Sequence, residues 1–131
     1  MVGKVIYKIY GDKSFSAPKP KGCYPQVAPI DNDLPFIVYE IVDVQPSPTK
    51  ESPSSALDIV TVNITAIAKT QMHANTLANE FRDQLDTTTI PAIINGVKVQ
   101  SLRFRSQDED YQDEIEAYVN QLTYTFRITR T

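Results

Sequence analysis

The chain has 131 residues, a formal net charge of −3 and an apolar share of 41%, enough to bury one core without disulfides or a structural metal. The surplus of carboxylates argues against a broad basic face for nucleic acid. No apolar run approaches the roughly 18 to 20 residues of a membrane span, and the lone Cys23 has no internal disulfide partner.

Charge is polarised along the sequence. Lys4, Lys8, Lys13, Lys19 and Lys21 stand against Asp12 near the start, whereas residues 107–116 hold six carboxylates and no basic group. Lysines recurring within the first eight residues leave no uninterrupted apolar centre for a signal peptide, so synthesis in a reducing cytoplasm is expected. Val2, Val5, Ile6, Ile9 and Tyr10 fall on one helical face, which predicts a short N-terminal helix stopped at Gly11. Lys13 to Gly22 then reads as an exposed connection, with Cys23 in the loop that follows.

Pro25, Pro29 and Pro35 forbid helix and lead into Phe36 to Val44, whose β-branched and aromatic run reads as a central strand. Gln45 to Ser55 carries Pro46, Pro48 and Pro53 with four serines, Lys50 and Glu51, and reads as a long polar hairpin loop. Leu57 to Ala68 alternates, with Val60, Val62, Ile64 and Ala66 on one face and Thr61, Asn63 and Thr65 on the other, the period of a strand.

Thr70 is placed to cap a helix to about Asp86, because Ala74, Leu77, Ala78, Phe81 and Leu85 form an apolar stripe. Asn75, Asn79, Arg82 and Asp83 are expected to face water. Asn95-Gly96 accepts the positive φ of a tight hairpin turn and opens the next strand. Val97 and Val99 share one parity while Leu102 and Phe104 share the other, which predicts a bulge near Gln100 or Ser101. Residues 118–128 alternate as a long last strand. The fold class is therefore α+β: a mainly antiparallel sheet of four or more strands, one long packed helix over about 70–86, a short N-terminal helix and long hairpin loops, in one domain over 1–131.

Catalytic and metal chemistry find no support in these residues. Asp108, Glu109, Asp110, Asp113, Glu114 and Glu116 form an acidic cluster without the glycine and alternating ligand spacing of a calcium loop, and read as a solvated hairpin tip. His73 has no second histidine or cysteine at ligand spacing. No phosphate-binding glycine loop, serine nucleophile motif or Cys-x-x-Cys pair occurs, so no cofactor and no enzyme activity are expected. Arg103 and Arg105, two apart, are expected on one sheet face, in protein contacts rather than on phosphate.

Tyr24-Pro25, Val27-Ala28-Pro29 and Leu34-Pro35-Phe36-Ile37-Val38-Tyr39-Glu40, followed by a polar loop, an alternating strand, an Ala/Leu-striped helix and Tyr124-Thr125-Phe126-Arg127-Ile128, resemble the tail completion, or tail terminator, proteins of long-tailed bacteriophages. The resemblance spans most of the chain. Its proline-rich loop and acidic tip depart from the shared pattern in length and charge. The resemblance implies a non-enzymatic virion protein at the head-tail junction, a homo-oligomeric and usually hexameric ring that caps the tail tube, stops its polymerisation and meets a head connector or stopper protein. DNA would pass the lumen without specific binding. Pro46, Pro48, Lys50, Glu51, Pro53, Arg103, Arg105, Asp108, Glu109, Asp110, Asp113 and Glu114 are the expected contacts with neighbouring subunits or partners. A different head-tail connector component, a tail tube subunit and, more remotely, a ligand-binding α+β domain are the alternative readings.

Overall fold

A computed structural model describes residues 2–12, 22–25, 35–46, 57–90, 92–94, 96–113 and 117–129. The elements in chain order are α1 (Val2–Asp12), β1 (Cys23–Pro25), β2 (Phe36–Pro46), β3 (Leu57–Ala68), α2 (Gln71–Thr87), β4 (Ala92–Ile94), β5 (Val97–Gln112) and β6 (Ala117–Thr129). They build one sheet in the order β1-β2-β3-β6-β5-β4. The β1/β2 pair is parallel and every other pair antiparallel. The sheet is thus mixed and six-stranded, wider than the four main strands legible in the sequence.

Both helices pack on one face. Val5, Ile6 and Ile9 of α1 and Ala74, Leu77, Ala78, Phe81 and Leu85 of α2 are buried. They share a core with Val60, Val62, Ile64 and Ala66 of β3 and with Leu122, Tyr124, Phe126 and Ile128 of β6. The period-two alternation of β3 and β6 delivers these rows to the helices, because successive strand residues point to opposite faces. α1 runs through Gly11 to Asp12, so Gly11 lies in its last turn instead of stopping it. A smaller apolar cluster, Phe36, Ile67 and Ala117 with Tyr24, Val38 and Val119 against it, occupies one end of the opposite face.

α2 begins where its cap predicts. Thr70 has extended backbone, and its hydroxyl accepts from the His73 backbone N–H at 3.1 Å, satisfying one of the helix's orphan donors. Thr88 closes the other end, its N–H donating to the Leu85 carbonyl at 3.3 Å. Thr70→Ala is expected to lower stability by about 1 kcal/mol, read as a shift in the urea midpoint at unchanged slope. A loss under about 0.3 kcal/mol would mean that solvent replaces the hydroxyl without cost.

Three further expectations are corrected. Phe36–Pro46 does not behave as a central strand along its whole length, because β1 pairs only with Ile37, Val38 and Tyr39. Its second half carries exposed Ile41, Val42 and Val44, so the apolar run that suggests burial on both sides is partly an edge among the described residues. Cys23 lies buried in β1, not in a loop. Residues 106–112 are strand, not hairpin tip: β5 continues to Gln112, which pairs with Ala117. Backbone pairing to β6 holds this acidic stretch extended, and alternation sends its charges to two faces.

The bulge expected from the parity switch is present, as a register shift between Val99 and Ser101, and a second one follows between Phe104 and Ser106. Gly96 has φ +83°, the left-handed conformation its place in the β4/β5 turn demands; Asn95 lies outside the described residues.

Candidate assembly surfaces

The flank of α2 turned toward β5 and β6 is polar. Gln71 Nε2 donates to Glu109 Oε2 at 3.2 Å, and Asn120 Nδ2 donates to Asn75 Oδ1 at 2.7 Å. Gln107 Nε2 donates to Asn120 Oδ1 at 2.9 Å and to Asn79 Oδ1 at 3.3 Å, while Arg82 Nη1 donates to Gln107 Oε1 at 3.3 Å. The Arg82 guanidinium also sits 3.7 Å from the Phe104 ring centroid and pairs with Asp86 at 3.3 Å, and Asp86 Oδ1 accepts from the Tyr124 hydroxyl at 2.8 Å. Burial, then that hydrogen bond, holds the Tyr124 phenol well above its ordinary range, so it remains a donor.

Gln71, Asn75, Asn79, Arg82 and Asp86 recur at spacings of three and four, a second stripe beside the apolar one. The expectation that Asn75, Asn79, Arg82 and Asp83 face water holds for exposed Asn79 and Asp83 and is corrected for half-buried Asn75 and Arg82. Helical periodicity places residues on a common face but says nothing of what lies opposite, and here it is Asn120 and Gln107. The seam seats the long β5/β6 hairpin on α2 through directional bonds, which specify register more narrowly than apolar packing does.

The opposite face of the sheet carries no helix among the described residues. Its rows run across β2, β3, β6 and β5: Val38, Thr65, Gln121, Asp108; then Glu40, Asn63, Thr123, Ser106; then Asp43, Thr61, Thr125, Arg103. Thr123 Oγ1 donates to Asn63 Oδ1 at 2.9 Å, and Arg105 Nε donates to Thr125 Oγ1 at 2.9 Å. Away from the apolar cluster at its end the face is polar, with carboxylates on β2 and both guanidinium groups and carboxylates on β5.

Arg103 and Arg105 share this face as expected. Asp108 and Asp110 also lie on it, opposite Gln121 and Val119, whereas Glu109 turns to the helix face and Asp113 lies in the turn after β5. The acidic cluster is thus divided between faces. Pro46 ends β2 opposite Asp58; Pro48, Lys50, Glu51, Pro53 and Glu114 lie outside the described residues.

Two stretches of strand edge pair with no further strand among the described residues: β2 beyond Tyr39, where β1 ends, and β5 from Ser101 onward, past the end of β4. Their unpaired N–H and C=O groups are a template for a further strand.

Nucleophilic and metal-binding arrangements are not assembled among the described residues. Burial pushes the Cys23 thiol up to about 12, which leaves it protonated and unreactive at neutral pH. His73 sits in the first turn of α2, and no three His, Cys, Asp or Glu side chains group at metal-binding distance among the described residues. No helix among them is long and apolar enough to cross a membrane.

Comparisons with known proteins agree with this architecture. Among curated proteins, none matches the chain in sequence. A chain from the virion of a native gene transfer agent particle is similar in structure, with a TM-score of 0.65 at 15% identity, over 95% of this chain and 84% of that one. The likeness is one of fold. The family model for tail completion protein gp17 matches residues 16–129. That span includes the whole sheet and α2, and the chain therefore belongs to the tail completion protein gp17 family of phage structural proteins.

Proposed function

We propose that this protein assembles as a ring, a hexamer of one chain, on the head-proximal end of a phage tail tube, where it stops tube growth and presents a surface to a head connector. The family match over residues 16–129 is the observation that carries this reading. A sheet whose polar face and two edge stretches are uncovered among the described residues suits it, because repeated heterologous contacts between identical units close into rings. The loop between β2 and β3 and the turn after β5 serve as the contacts with tube and connector, and carboxylates turned to the bore would let DNA pass without sticking.

Pro46 and Asp58 are paired at the base of the first loop, so a short turn in place of residues 47–56 leaves the sheet intact. Tails carrying that variant are expected to have normal length and to accumulate unjoined beside filled heads, in electron micrographs of infected-cell lysates. Normal infectious yield from the variant would remove the loop from the joining surface. Purified wild-type protein that grew into tubes of unlimited length would instead identify a tube subunit.

A further inference from the structure

We propose that three exposed arginines on the helix-free face of the sheet, Arg103, Arg105 and Arg127, receive Asp108 and Asp110 of a neighbouring copy. Each subunit then gives one acidic strand end and takes another. The proposal rests on the ring reading and assigns a contact that links its subunits.

The arginines surround one side chain. Arg103 stands opposite Thr125, Arg127 follows Thr125 by two residues on β6 and stands opposite Ser101, and Arg105 Nε donates to Thr125 Oγ1 at 2.9 Å. Arg103 and Arg127 are thus diagonal neighbours, about 7 to 8 Å apart on the sheet. All three arginines are exposed. Like charges this close on one face repel one another, and neither Arg103 nor Arg105 forms an ion pair with a carboxylate among the described residues. In a chain of net charge −3, such a patch fits carboxylates supplied from outside, which the planar guanidinium fork matches in shape.

The matching charge lies on the same strand, out of reach. Asp108 and Asp110 are exposed on this face, opposite Gln121 and Val119. Arg103 and Asp110 stand about 20 Å apart along an extended strand, and Arg105 is turned away from the acidic end, toward Thr125 in the row of Arg103. Pairing to β6 holds β5 straight between them, so the two patches meet only when the acidic end of one copy is laid on the arginines of another. A copy that binds through its acidic end leaves its own arginines for the next, and such heterologous contacts, repeated, close a ring. Side chains on the face make the contact, which leaves every strand pair of the sheet as it is. Nucleic acid fits the patch less well. Exposed Asp43 stands across the sheet in the row of Arg103, and Asp108 and Asp110 stand further along β5, so a phosphate backbone crossing the face would meet carboxylates on both courses.

The test is a charge exchange. Arg103→Glu with Arg105→Glu in one variant, and Asp108→Lys with Asp110→Lys in another, are each expected to weaken ring formation by about tenfold or more, since like charges then meet at every interface. An equimolar mixture of the two is expected to restore rings, because copies that alternate around the ring again set opposite charges together. Native mass spectrometry reads both results, and circular dichroism checks that each variant is folded. A synthetic peptide of residues 107–117 is expected to compete for the arginines and dissociate wild-type rings, whereas the same peptide with Asn and Gln in place of Asp and Glu is expected to leave them intact. Rings that withstand the reversals, a mixture that stays dissociated, or arginines that take a short DNA duplex in preference to the peptide would overturn this contact and leave the ring standing. Wild-type protein that forms no ring, free or on tube ends, would overturn both.

Discussion

Phe81→Ala is expected to destabilise the protein by about 3 to 5 kcal/mol, the range for removing a fully buried aromatic ring from a packed core. Phe81 is 1% exposed and stacks on Tyr10 at a centroid distance of 6.4 Å, so its ring fills the space where α1 meets α2. Its loss removes buried area and also the surface on which α1 docks. Against a total stability of roughly 5 to 15 kcal/mol, the variant retains little margin. The urea midpoint should fall sharply, and amide exchange should accelerate in α1 more than in β3 and β6. A loss below about 1 kcal/mol would show that the helices collapse into the vacated volume.

Asn120→Leu is expected to cost about 2 to 5 kcal/mol, although leucine has the same number and branching of side-chain heavy atoms and the site is fully buried. The reason lies in the partners. Asn75 Oδ1 would lose the 2.7 Å bond that Asn120 supplies, and Gln107 Nε2 would lose its 2.9 Å bond and keep only the longer one to Asn79; a polar group left without its partner costs roughly 1 to 3 kcal/mol when buried. A triple variant with Asn75→Leu and Gln107→Leu should recover much of that loss, because the three groups that depend on one another are then removed together. Coupling between these sites in a mutant cycle is expected to reach about 1 kcal/mol or more. Additive losses would mean that water enters the seam and satisfies the orphaned groups.

The two predictions differ in how readily the sequence anticipates them. Phe81 belongs to a stripe with Ala74, Leu77, Ala78 and Leu85 at helical spacing, and all five are buried; the stripe and the Thr70 cap together locate α2. Asn120 carries no such signal. It occupies an inward position of β6, a strand that alternates legibly, yet a polar residue at a core position cannot name its partners. Those partners lie 45 and 13 residues away, brought together only when α2 crosses the β5/β6 hairpin.

The same division runs through the sheet. Parity alone requires the bulge near Gln100, since Val99, Leu102 and Phe104 can reach one core only if a residue is skipped. Parity does not tell an edge from a centre. Phe36 to Val44 reads as buried on both sides, and its second half is an edge among the described residues because the three residues of β1 cover only Ile37 to Tyr39. Nor does composition end a strand: the carboxylates of residues 108–110 suggest a solvated tip, but β6 supplies a backbone partner for each of them.

Features that can be read along one segment were legible before any folding was considered: the two helices, the alternating faces of β3 and β6, the bulge, and the resemblance to tail completion proteins. They follow from periodicity and residue chemistry, which a chain carries along its own length. Strand order, the parallel β1 and the polar seam under the hairpin emerge only in the folded molecule. All of these depend on hydrogen bonds between distant residues, whose partners are chosen by the packing of the whole sheet and not by any segment of it.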